Sequence, residues 1–177
     1  MTGPQHAWSP AAKSSTGLPQ SPEPGAVWQH PAPDFVLPNQ FGEPVALSSL
    51  RGTPVVVVFY PFAFSGVCTG ELDELQGAAE EIALTGARIL AVSCDSKYAL
   101  RAYAQQRGYT FDLLADFWPH GAVSDAYGAF DADLGRPVRA SFIIDGRGLI
   151  RAEIRSDPGS PRPLQAYLDA LKEMLSE

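Results

Sequence analysis

The sequence predicts an α/β fold, with a mixed central sheet flanked by helices on both faces. Three observations carry this prediction. First, "TPVVVVFY" and "ARILAVS" are runs of mainly apolar residues without polar alternation, as expected of central strands covered on both faces. Second, each run is followed by a segment whose apolar residues recur at helical spacing. Third, "VRASFIID" and "LIRAEIR" are joined by the turn-forming Asp145-Gly146-Arg147-Gly148, which predicts an antiparallel hairpin. Strand–helix units followed by a hairpin require both parallel and antiparallel pairing, hence a mixed sheet.

Taken in order, residues 1–26 are rich in Pro, Ser, Gly and Gln and show no apolar period, so they are expected to form a disordered extension. A single domain is expected over residues 27–177. It opens with two short apolar segments around the turn-like "NQFGEP", a predicted β-hairpin. After "TPVVVVFY", the spacing of Leu72, Leu75, Ala79 and Ile82 predicts a helix that begins near Val67 or Cys68 and ends by Gly86. "KYALRAYAQQRG" reads as a helix closed by Gly108, "FDLL" as a short strand and "GAVSDAYG" as a short helix. Leu164, Leu168, Leu171 and Leu175 form one face of a last helix that opens after Ser160 and Pro161. This order is that of a thioredoxin-like fold, although physics alone leaves other three-layer α/β topologies open.

Composition narrows the function. The chain has 177 residues, 45% of them apolar, a net charge of -7 and a pI near 4.9, and it lacks any Lys/Arg cluster. A nucleic-acid partner is therefore not expected. No apolar run approaches the ~18 residues of a membrane span, and the N-terminus lacks the apolar middle of a secretory signal. Two cysteines far apart make no disulfide framework, which fits a reducing cytoplasm. His6, His30 and His120 have no second ligand at metal spacing, and no glycine-rich phosphate loop is present. Neither a metal nor another cofactor is expected.

One cysteine stands out. In "FYPFAFSGVCTGELDEL", Cys68 follows a buried strand and sits at the predicted start of a helix. There the unsatisfied backbone N–H groups and the positive end of the helix dipole favour thiolate, the reactive form, over thiol. Set against this, a lone cysteine is often only a packing residue.

The neighbouring residues weigh for reactivity. Pro61, Ser65 and Cys68 stand as P-x-x-x-S-x-x-C, which resembles the active-site motif of peroxiredoxins. With "DFWPHGAVSDAYGAFD" and "VRASFIIDGRGLIR", the likeness runs from about Ala32 and points to the one-cysteine, alkyl hydroperoxide reductase E type. It implies a thioredoxin-like fold and a thiol-dependent peroxidase that reduces hydrogen peroxide and organic hydroperoxides through a cysteine sulfenic acid. Cys68 falls on the peroxidatic position, Ser65 on the hydroxyl residue, Pro61 on the shielding proline and Arg139 on the active-site arginine, with Glu71 orienting the arginine. From the residues alone, Pro61 could simply end a strand, Ser65 could cap the helix and Glu71 could be a favourable first-turn acid. Cys94, at the end of "ARILAVSC", is a candidate resolving thiol or an inert buried one. The resemblance further implies a homodimer and an external reductant, either mycothiol with mycoredoxin or thioredoxin. A peroxide sensor that passes oxidation to a partner, and a thiol–disulfide oxidoreductase, remain alternatives. The second lacks a C-x-x-C pair, because Cys68 is followed by Thr-Gly-Glu.

Overall fold

The computed structural model describes residues 30–176. The predicted extension, residues 1–26, and residues 27–29 of the predicted domain lie outside the described residues. In chain order the elements are β1 (His30–Pro31), β2 (Val36–Pro38), β3 (Pro44–Ala46), a 3₁₀ turn (Leu47–Leu50) and β4 (Val55–Phe59). Next come α1 (Gly66–Gly77), α2 (Ala79–Leu84), β5 (Arg88–Ser93), α3 (Lys97–Arg107), β6 (Asp112–Ala115) and α4 (Ala122–Ala126). The chain ends with β7 (Phe130–Asp131), β8 (Arg136–Pro137), β9 (Ala140–Ile144), β10 (Leu149–Arg155) and α5 (Leu164–Leu175).

Six strands form the central sheet in the order β1-β10-β9-β4-β5-β6. The pairs β4–β5 and β5–β6 are parallel, whereas β4–β9, β9–β10 and β10–β1 are antiparallel. All five residues of β4 are buried, as an apolar run in mid-sheet requires. Because β4, β5 and β6 step across the sheet in one direction, two right-handed crossovers place α1, α2 and α3 on the same face. There Leu72, Leu75, Ile82, Leu100 and Tyr103 pack with Val56, Val58 and Ile89, joined by Leu168 and Leu171 of α5. The opposite face is covered more thinly. Phe35 and Leu37 of the N-terminal hairpin, Leu47 of the 3₁₀ turn, and Val123 and Tyr127 in and after α4 lie against Val57, Phe59 and Phe142. Each fully buried Val, Leu or Phe is worth about 1.5–3 kcal/mol of transfer free energy, so both layers contribute to the fold.

The hairpin turn between β9 and β10 is pinned by Asp145, whose carboxylate accepts from the backbone N–H groups of Arg147 and Leu149 at 2.9 Å. Gly148 takes φ +82° there, and a Cβ would run into the Arg51 guanidinium.

The structure departs from expectation in two places. The single helix predicted to begin near Val67 or Cys68 and to end by Gly86 breaks at Ala78 (φ -98°, ψ 5°), directly after Gly77, a poor helix former. The last helix opens after Ser160 and Pro161, as predicted, with Leu164 its first residue. The sheet-edge strand β1 and the small β7–β8 ladder were not predicted, being only two residues per strand.

Candidate active site

Cys68 lies in the first turn of α1, on the same stripe as Glu71, Leu72 and Leu75. That stripe faces the sheet, so its sulfur is carried inward and the residue is fully buried. Ser65 stands at the N-cap with extended backbone, and its carbonyl accepts from Thr69 N at 2.9 Å. Its hydroxyl makes no cap hydrogen bond, so the capping role open to it in the sequence is not used. Pro61 is buried in the segment between β4 and α1.

The sheet brings Arg139 to this sulfur. β9 runs antiparallel to β4 with Ala140 opposite Phe59, so Arg139, one residue ahead of β9, emerges beside the segment that leaves β4. Its Nη2 donates to Cys68 Sγ at 3.3 Å, across 71 positions of sequence. Its Nη1 donates to Glu71 Oε2. Glu71 is in turn gripped by Arg162, whose backbone N and Nε donate to Oε1 at 2.7 and 3.0 Å and whose Nη2 donates to Oε2 at 3.2 Å. Arg162 also donates from Nη1 to Phe59 O at 2.8 Å and Ser141 Oγ at 2.9 Å.

Arg162 is 2% exposed, Glu71 3% and Arg139 8%, so these charges are nearly out of water and depend on one another. Two guanidinium groups and one carboxylate leave one positive charge. An ionised sulfur at position 68 brings the buried cluster to zero.

A cavity of about 290 Å³ opens beside this cluster, lined by Pro61, Arg139, Leu134, Val138, Arg136 and Pro158. Arg136 stands over the Phe62 ring at 5.5 Å, joining the β7–β8 ladder to the segment before Cys68.

Residues 28–153 match the profile of the AhpC/TSA family. The chain belongs to this family, the peroxiredoxins. It is 43% identical over 141 residues to "Alkyl hydroperoxide reductase E" of Mycobacterium tuberculosis (strain ATCC 25618 / H37Rv), covering 79% of this chain and 92% of that one. Among solved structures it is similar to an AhpC from Enterococcus faecalis, with a TM-score of 0.78, 26% identity and coverage of 84% of this chain and 92% of that one. It is also similar to the peroxidoxin BcpB from Mycobacterium tuberculosis, with a TM-score of 0.73, 30% identity and coverage of 85% and 97%. The fold is thioredoxin-like.

Of the residues singled out in this peroxiredoxin's sequence, Cys68, Arg139 and Glu71 are brought into one hydrogen-bonded group, with Ser65 and Pro61 on the segment leading to it. Cys68 and Cys94 are both free thiols, and burial, then Asp116 and Asp95, push the Cys94 thiol up to about 12. His120 hydrogen-bonds through Nε2 to Gly135 O at 2.7 Å and packs against Phe130. The burial of Arg162 is not legible in its own stretch of sequence. In "SPRPLQAY" the residue looks like a solvated cation ahead of a helix, and its partner Glu71 is 91 positions away. The one available signal is that Glu71 sits on the apolar stripe of α1, where a buried carboxylate needs cations to face it.

Proposed function

We propose that the thiol-dependent peroxidase activity of this peroxiredoxin is carried by Cys68 and directed by Arg139. The observation that supports it most is the Arg139 Nη2 to Cys68 Sγ contact of 3.3 Å, made by a guanidinium that Glu71 holds in place. In the reaction the Cys68 thiolate attacks the outer oxygen of a hydroperoxide. The S–O bond forms as the O–O bond breaks, sulfur is oxidised by two electrons to the sulfenic acid, and the leaving alkoxide or hydroxide takes a proton to become alcohol or water. An external thiol then displaces water from the sulfenic acid to form a mixed disulfide, and a second thiol releases the Cys68 thiolate.

Ionisation alone cannot carry such chemistry. For a cysteine in general, lowering the pKa from about 8.5 to about 6 raises the thiolate fraction roughly 30-fold at pH 7. Nucleophilicity then falls roughly 13-fold for β ≈ 0.4–0.5, which leaves a net gain of only about twofold. The larger share must come from donors aimed at the peroxide oxygens, where charge develops as O–O breaks. Arg139, the Ser65 hydroxyl and the Cys68 backbone N–H are the candidates. Pro61 and the burial of the cluster exclude water and so strengthen these interactions.

The high thiol pKa of Cys94 favours one-cysteine chemistry with an external reductant; by family resemblance that reductant is mycothiol with mycoredoxin or thioredoxin, and the setting is the cytoplasm. No helix among the described residues is long and apolar enough to cross a membrane. A homodimer is supported by exposed aromatics on the loops after β4 and β6, namely Phe62, Phe64, Phe117 and Trp118. The direct test follows peroxide consumption with a small-molecule thiol or mycoredoxin. Many turnovers per chain are expected, and a single stoichiometric oxidation that stops there would favour a sensor. Insulin reduction, the signature of a disulfide oxidoreductase, is not expected.

A further inference from the structure

Between β4 and α1 the chain must turn from strand to helix and present Cys68 at a fixed distance from Arg139. Phe64 adopts φ +64° in this turn, a left-handed conformation that a bulky side chain disfavours. Something outside the turn must hold it there. Two contacts do so. The Phe64 ring packs on Tyr103 at 4.8 Å, and the Tyr103 hydroxyl is bonded to Thr69 Oγ1 at 2.9 Å. On the other side, the Ala63 backbone N–H donates to Asp95 Oδ2 at 2.8 Å, across 32 positions of sequence. Asp95 is itself oriented, because Ser93 Oγ donates to the same oxygen at 2.8 Å and accepts from Asp95 N at 3.3 Å.

We infer that Asp95 is a positioning residue for the peroxide step, acting as the hydrogen-bond anchor that holds residues 61–65 in their strained turn. The inference rests on the peroxidase reading of Cys68. Without the anchor, Phe64 relaxes toward negative φ, and the chain immediately before Ser65 swings. Pro61 and Cys68 then lose their alignment with Arg139, and a misplacement of ~1 Å can cost roughly a hundredfold in rate. The anchor acts through its acceptor oxygen, so an amide in its place should serve.

The test uses the reduced full chain with Asp95→Ala, Asp95→Asn and Ser93→Ala, read by amide hydrogen exchange at Ala63 and by the second-order rate with hydrogen peroxide. Asp95→Ala should lower both Ala63 protection and the peroxide rate by at least about tenfold while leaving iodoacetamide alkylation of Cys68 no slower, since alkylation does not use the peroxide donors. Asp95→Asn should stay within about threefold of wild type on both readouts. Should Asp95→Ala fail to fold, Ser93→Ala, which frees the carboxylate to turn and removes the acceptor of the Asp95 N–H, should still reduce Ala63 protection. Unchanged protection and rate in Asp95→Ala, or an Asp95→Asn variant as impaired as Asp95→Ala, would overturn the inference. A wild type that meets peroxide no faster than free cysteine would instead overturn the peroxidase reading, and the exchange at Ala63 would still judge the anchor.

Discussion

Sulfur at position 68 is entirely covered by protein, so what it does depends on the donors that share its enclosure. The Ser65 hydroxyl is not spent as a helix cap, and in the proposed mechanism it donates to a peroxide oxygen. Ser65→Ala should therefore slow peroxide reduction by roughly tenfold to a hundredfold, in line with the loss of one aligned donor. The change should leave helix content by circular dichroism unaltered, because no cap bond is lost. Cys94 differs in kind. Its thiol is held protonated by burial and by two nearby carboxylates, so it is a poor attacking group near neutral pH. Intact-mass analysis after one equivalent of peroxide should show a gained oxygen, trapped by a sulfenic-acid reagent, and not the loss of two hydrogens that a Cys68–Cys94 disulfide would give. The same thiol leaves a mark on stability. Its pKa rises from 9.0 to about 12 on folding, so above pH 9 the unfolded chain has released a proton that the folded chain still holds. Stability is lost as pH rises through that window. Denaturation curves of Cys94→Ala should show a shallower decline than wild type between these two values.

At the scale of elements, the start of α1 was legible and its contents were half legible. A β-branched strand, a Pro, a Ser and an apolar stripe at helical spacing locate the turn and the cysteine to within two residues. Arg139 was legible through its place in "VRASF", within a block that resembles the peroxiredoxins. The second arginine of the cluster was not. Arg162 precedes α5 among prolines, where nothing local says that its guanidinium is fully buried, and the pairing appears only when α5 and α1 meet on the same face. The break between α1 and α2 was also hidden, because apolar residues keep their spacing across it and Gly77 is no clearer a signal than Gly70, which lies inside α1 without breaking it. Since the Arg162 side chain donates from Nε and Nη2 to Glu71 and is buried with it, removing it leaves that buried carboxylate with only Arg139 and the backbone N–H of residue 162 as donors. Arg162→Ala should destabilise the fold by about 3–5 kcal/mol in urea unfolding. It should also slow peroxide reduction through a misplaced Arg139. A loss below about 1 kcal/mol would mean that the network is better solvated than its burial implies.

At the scale of the molecule, sequence order sets the sheet and the sheet sets the site. Two parallel crossovers bring α1 and its cysteine to the carboxyl end of β4, and the antiparallel insertion of β9 delivers Arg139 to the same end. The exposed aromatics on the adjoining loops predict that light scattering at micromolar concentration will show a dimer. A monomer there would remove that part of the account. The central claim is narrower: a guanidinium and an ionised sulfur, brought together by this topology, meet one O–O bond. The most direct measurement is the stopped-flow second-order rate of fully reduced protein with hydrogen peroxide, for wild type and Arg139→Ala. The account predicts a fall of roughly a hundredfold to a thousandfold, the expected loss of about 2.7–4 kcal/mol of transition-state stabilisation. A variant within about threefold of wild type, less than ~1 kcal/mol, would contradict it.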